Sequence, residues 1–224
     1  MVAAGLSSRM GEFKPMLPFG DSTIALHMVT MLKRLGVSPL VVVTGYRAGE
    51  LEEHLSHAGV RFVRNERFRE TQMFDSVKLG IEAAAKECGR IMVLPMDIPA
   101  IMPDTIRQVL MIDGGIVRTI CRGEPGHPIM FQSRIAEQLC AYQGEGGLRG
   151  AIEDFDGGIT DLEVEDEGEF IASVLSEISM VKGELMDLDH YYAKNCSEDV
   201  FKQLFLGYEE QLRKRRLLDF DDML

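Results

Sequence analysis

Apolar and polar positions follow two alternating rhythms over the first 110 residues. Thr23 to Leu35 (TIALHMVTMLKRL) spaces its apolar residues along one helical face, and Gly36 follows as a stop. Ser38 to Gly45 (SPLVVVTG) is instead a continuous β-branched run, the pattern of a strand buried on both faces of a parallel sheet. A short helix is expected over Glu50 to Ser56, a strand over VRFVRNE, a helix over Asp75 to Lys86, and a buried strand over RIMVLPMD, ending in Asp97. Pro103 opens a further helix at a favoured first-turn position. Beyond Gly114 the rhythm weakens. IVRTICR and HPIMF read as strands around a tight GEPG turn, Ser133 to Tyr142 as a helix, and GGITDLEVED as a strand ending in an acidic turn. An amphipathic helix begins near Asp199 and runs into an acidic DFDDML tail.

Strands alternating with helices predict right-handed crossovers and a mainly parallel sheet covered on both faces. In such sheets ligands sit beyond the carboxyl ends of the strands. The opening loop AAGLSSRMGEFKPMLPFG (Ala3 to Gly20), the Thr44-Gly45 pair and Asp97 all fall at those ends, so a site is expected there.

Composition narrows the function classes. The chain has 224 residues, 46% hydrophobic and 27% charged, as one globular domain with or without an appendage would have. No run approaches a membrane span and no leader pattern opens it, so a cytoplasmic protein that does not bind membranes is expected. A formal net charge of −12 repels nucleic acid and anionic surfaces. Cys88, Cys121, Cys140 and Cys196 stand far apart and read as reduced thiols. His54 and His57 read as surface residues rather than metal ligands, because no neighbouring acid or cysteine completes a set.

Against that acidic background Arg9 and Lys14 share one glycine-rich loop. Glycine lets backbone N–H groups approach phosphate oxygens closely. The stretch is neither GxxxxGK[ST] nor GxGxxG. Arginine grips phosphate with two parallel bonds and lysine supplies a mobile point charge. Nucleotidyl transfer depends on such positioning and charge neutralisation, together with a magnesium ion held by hard oxygen ligands. Asp97, on the same edge, is the first candidate ligand.

These residues together resemble the molybdenum-cofactor nucleotidyltransferases, the family of cytidylyl- and guanylyltransferases. The opening stretch matches AAGxSxRMGxxKxLLpfg, LPMDIP matches the family's acidic strand end, PGHP and GEGGLRG match the cytidylyltransferase branch, and MDLDHYY resembles the closing motif. The resemblance implies a Rossmann-like three-layer α/β/α fold with a mainly parallel sheet. It implies a transferase domain over residues 1–195 and a helical tail over 196–224. It places the nucleotide on Ala3, Ala4, Gly5, Leu6, Arg9, Lys14, Met73, Asp75, Ser76 and Asp97, with Arg9, Lys14 and Asp97 catalytic. It places magnesium on Asp97 with Asp189 and then Asp187, and the acceptor at Gly126, His127 and Arg149. The implied reaction moves a nucleoside monophosphate, from CTP before GTP, onto the phosphate of molybdopterin and releases pyrophosphate. A sugar or polyol phosphate is the alternative acceptor. A nucleotide-binding module without turnover, serving a molybdoenzyme or its chaperone, is the alternative class. TQMFDSV leaves the base open, since Gln72, Phe74 and Asp75 depart from the branch's GMxxS. Together with MDIP it also resembles a subgroup that often carries an HD domain, which this chain lacks.

Overall fold

The computed structural model describes residues 1–4, 13–99 and 101–164, and beyond them 177–178, 180–182, 186, 188, 191–193 and 198–215. The expected site residues Gly5, Leu6, Arg9, Asp187 and Asp189 lie outside the described residues. The chain divides into two compact units, Met1–Val164 and Glu165–Leu224.

In the first unit β1 (Val2–Ala3), β4 (Val41–Thr44) and β5 (Arg61–Arg64) pair in parallel, in the order β1-β4-β5. All four residues of β4 are buried, as a strand covered on both faces requires. A second group orders β6 (Arg90–Val93), β8 (Glu124–Gln132), β7 (Ile116–Cys121) and β9 (Ile159–Glu163). Strand β1 joins the two groups. Val2 bridges Pro95 in parallel, its N–H donates to the Leu94 carbonyl at 3.1 Å, and its own carbonyl accepts from the Met96 N–H at 3.1 Å. Only β8 runs against its neighbours among these described pairs. A small hairpin of β2 (Pro18–Phe19) and β3 (Ser22–Thr23) stands apart from them.

Side chains alternate between two apolar layers, as the period of two along a strand dictates. On one face α1 (Ile24–Arg34), α2 (Ala48–His54) and α4 (Pro103–Met111) cover Ala3, Val42 and Leu94, burying Met28, Leu32, Leu51 and Ile106. On the other, α3 (Met73–Ala85), α5 (Ala136–Ala141) and α6 (Gly147–Glu153) cover Val93, Ile129 and Phe131. This is the expected three-layer α/β/α arrangement. A cavity of about 220 Å³ lies at the amino ends of β4 and β6, lined by Leu40, Val41, Ile91, Met92 and Met1.

Three local expectations are corrected. The tight turn between β7 and β8 is Arg122-Gly123, not GEPG, and both its residues have positive φ (52° and 80°). That geometry matches the right-handed twist of a two-residue hairpin, and it draws Glu124 to Gly126 into β8. His127 lies in β8, as the strand expected over HPIMF requires. Helix α6 was not expected, because its glycine-rich start hides its period. His54 is also not a plain surface residue: its Nε2 meets the Thr23 hydroxyl at 2.8 Å, half-buried.

Among the described residues Cys88, Cys121 and Cys140 form no disulfide, and no helix is long and apolar enough to cross a membrane. In the second unit Phe201, on the helix Glu198–Arg215, packs with Ile178 and Val181. Its ring lies 5.3 Å from that of Tyr191, whose hydroxyl donates to Glu177 at 2.8 Å.

Candidate active site

Parallel register aligns the carboxyl ends of β1, β4 and β5: Ala3 stands beside Thr44, and Thr44 beside Arg64. Both alanines that open the glycine-rich loop are buried. Ala4 closes against Gly45, where a side-chain Cβ would stand 3.0 Å from the Ala4 carbonyl oxygen and 2.9 Å from Phe68 Cβ. A glycine is required at that crossing because no larger residue leaves the two backbones this close.

The chain is described again from Phe13, buried and packed edge-on against Tyr46 at 5.8 Å between ring centres. The Arg47 guanidinium lies over the Phe13 ring at 5.4 Å. Both flanks of the opening loop are thus fixed on one edge of the sheet. Lys14 follows at the start of a short 3₁₀ turn, Lys14–Met16, where Pro15 suits the first-turn dihedral. Its Nζ donates to Asp97 Oδ2 at 3.1 Å, across 83 residues of chain. Both side chains are partly exposed, at 36% and 44%, so water screens the pair and it is easily exchanged for another partner. The structure therefore brings together Ala3, Ala4, Lys14 and Asp97.

His127 belongs to the same neighbourhood, since the Asp97 carboxylate acts on its charge. Burial among neighbouring atoms lowers its pKa, although the ring's surface reaches solvent, and the Asp97 charge opposes that shift more weakly. Gly126 lies against Thr119, whose hydroxyl would stand 3.4 Å from an added Cβ. Arg149, exposed on α6, donates through Nε to Glu153 at 2.8 Å and lies 3.9 Å from Glu124 at the start of β8.

The residues of TQMFDSV divide. Met73 is exposed at the head of α3. Asp75 accepts from the Gln72 N–H at 2.8 Å, while its own N–H donates to the Gln72 carbonyl at 3.1 Å, a reciprocal cap that satisfies two open donors. Ser76 is buried and accepts from Asn65 Nδ2 at 2.9 Å. Asn65 was missed by the sequence reading. Its signal was available: a polar residue closing a β-rich run at the edge where loops carry function.

A doubly covered, mostly parallel sheet whose carboxyl edge carries the Lys14–Asp97 pair defines a Rossmann-like fold. The chain belongs to the family of the MobA-like NTP transferase domain, whose model matches residues 1–159, and it is a nucleotidyltransferase. It is 32% identical over 154 residues to the molybdenum cofactor cytidylyltransferase of Escherichia coli K12, covering 68% of this chain and 78% of that protein. A solved nucleotidyl transferase from Methanothermobacter thermautotroptrophicus superposes with a TM-score of 0.64 at 28% identity, over 73% of this chain and 84% of that one. Rv0371c from Mycobacterium tuberculosis H37Rv shares the fold at a TM-score of 0.64 and 21% identity, over 74% and 86% of the two chains.

Proposed function

We propose that the protein transfers a nucleoside monophosphate, from CTP in preference to other triphosphates, to the terminal phosphate of a molybdopterin-type acceptor. In that reaction an acceptor phosphate oxygen bonds to the α-phosphorus as the bond to the departing pyrophosphate breaks. The carrying observation is the Lys14–Asp97 pair at 3.1 Å on the carboxyl edge, next to Ala3 and Ala4. The likeness to the cytidylyltransferase supports the base and the acceptor.

Within this reading the backbone from Ala3 to Leu6 holds base and ribose, and Arg9 and Lys14 hold the triphosphate. When nucleotide enters, Lys14 exchanges one Asp97 oxygen for phosphate oxygens of higher charge. Met73 is open to solvent and available to the base, whereas Asp75 and Ser76 are engaged with the protein and act by holding the head of α3. Gly126, His127 and Arg149 form the acceptor side, where burial lowers the His127 pKa against the weaker opposing charge of Asp97.

The donor set suits magnesium. The ion takes hard oxygen ligands, often one or two carboxylates with the rest from phosphate and water. Among the described residues no three His, Cys, Asp or Glu form a ready cage, and Asp97 offers one accessible carboxylate. Such a site fits a metal that arrives with its own phosphate ligands. Asp97 would hold it, with Asp189 and Asp187 as further proposed ligands, and bound magnesium would neutralise charge that develops on the phosphates. The proposed role of those two acids carries the transferase portion to residue 195, followed by the 196–224 tail.

The test is thermal melting with CTP, GTP, UTP and ATP, each with and without magnesium. A ligand at about 100 times its Kd stabilises by about 2.7 kcal/mol. A magnesium-dependent rise with CTP is expected, and no rise with any nucleotide would sink the reading. Asp97→Ala should keep part of that binding and lose pyrophosphate release. Turnover at the parent rate would refute the role given to Asp97. Product analysis with molybdopterin against sugar or polyol phosphates separates the acceptors.

A further inference from the structure

Asn65 closes β5 at the edge described above, and it is 4% exposed. Its backbone N–H continues the sheet by donating to the Thr44 carbonyl at 2.8 Å. Its side chain then turns away from the ladder. The two Nδ2 hydrogens reach Thr71 Oγ1 and Ser76 Oγ, each at 2.9 Å, and Oδ1 accepts from the Arg67 N–H at 3.0 Å. Thr71 passes the connection on, its hydroxyl donating to the Arg67 carbonyl at 2.9 Å. One buried amide thus ties the strand end, the turn at Arg67, the turn at Thr71 and the first turn of α3.

The segment so tied forms a wall of the edge. Phe68, midway along it, fills the place a Gly45 side chain would take and lies 6.4 Å, ring to ring, from Tyr46. At its far end Phe74 packs against Gly147, with 3.4 Å from an added Cβ to the Phe74 Cβ. Residues 65–76 therefore run from the Ala4–Gly45 crossing to the start of α6, and the direction of exposed Met73 depends on how they are held. Ser76 itself is buried and saturated by Asn65, so its contribution to a ligand passes through the position of its neighbours.

We propose that Asn65 is a positioning residue that locks residues 65–76 as the base-facing wall of the nucleotide site and thereby sets which nucleobase is accepted. The inference rests on the reading that a nucleotide binds at this edge. An amide suits the task because it supplies two donors and an acceptor in one plane, so three backbone segments are fixed at once. Losing it leaves buried hydroxyls short of a partner and lets the wall move.

The experiment measures Kd and kcat/KM for CTP, GTP, UTP and ATP, with nucleotide-free melting temperatures, in the parent, Asn65→Ala, Asn65→Asp and Thr71→Ala. In Asn65→Ala the preference for the favoured nucleotide over the next should fall by about fivefold or more. Asn65→Asp keeps the bond from Arg67 and can accept from the Ser76 hydroxyl, so it should recover part of that preference. Thr71→Ala removes one partner near the surface and should shift the preference in the same direction, by less, with melting nearly unchanged. It decides the matter with Asn65→Asp if Asn65→Ala fails to fold. Equal weakening toward all four nucleotides, with the preference intact, would show a structural role only and overturn the proposal. A parent protein that binds none of the four would instead overturn the nucleotide site, and this inference with it.

Discussion

At Gly45 the geometry leaves no room for even one methyl group. The atoms that an added Cβ would meet are Phe68 Cβ at 2.9 Å, the Ala4 carbonyl oxygen at 3.0 Å and Ala4 Cα at 3.1 Å. None is the tip of a flexible side chain, so relief must come from the backbone that begins the opening loop. Gly45→Ala is therefore expected to destabilise by about 1–3 kcal/mol and to weaken nucleotide binding in the same protein. Denaturant melts and nucleotide titration check the two effects together, and unchanged affinity in a destabilised variant would separate Gly45 from the site. The sequence marked Thr44-Gly45 as a strand end facing the site, but what presses on Gly45 came from Phe68, which no local pattern indicated.

Element by element, α1 begins where a side chain caps it, whereas α2, α4, α5 and α6 start without a side-chain cap. Thr23 accepts from the Leu26 N–H at 3.2 Å and also meets His54 Nε2 at 2.8 Å, so one hydroxyl starts α1 and ties it to α2. Thr23→Ala should cost about 1 kcal/mol, close to the value of an N-cap. For a chain of this size that is a melting shift of about 2–4 °C, readable by calorimetry. Thr23 to Leu35 was legible because thirteen residues repeat one period. Helix α6 was not, since Gly146 and Gly147 both take positive φ and only the few residues after them carry a helical face. The β7–β8 turn was misread for a related reason. GEPG contains the usual turn residues, yet the turn falls at Arg122-Gly123 because antiparallel pairing with β7 continues as far as Glu124.

For the whole molecule, acid should act in two stages. His27 is lowered by burial and then by Arg34, and His127 by burial against the opposing charge of Asp97. Both rings bind a proton more readily when the chain is unfolded, so stability is greatest above the ordinary histidine value of about 6.5 and falls as pH drops below it. Below the ordinary carboxylate range a second loss follows. Glu52, held low first by its bond from Arg64, must then be protonated. Urea melts at pH 8, 6.5 and 5 should show the first slope. A stability flat over that range would refute the burial of these groups.

The amino-acid sequence by itself determined the succession of elements from α1 to α4, the buried character of β4, and the edge where Ala3, Ala4, Gly45 and Asp97 would meet. Those features follow from local periods, β-branched runs and strand ends, all contained within a dozen residues. Tertiary structure decided which distant groups touch. It set Lys14 on Asp97 across 83 residues and closed Ala4 against Gly45 and Phe68. Such contacts depend on sheet register and on side chains packed from separate elements. No window of sequence contains both partners.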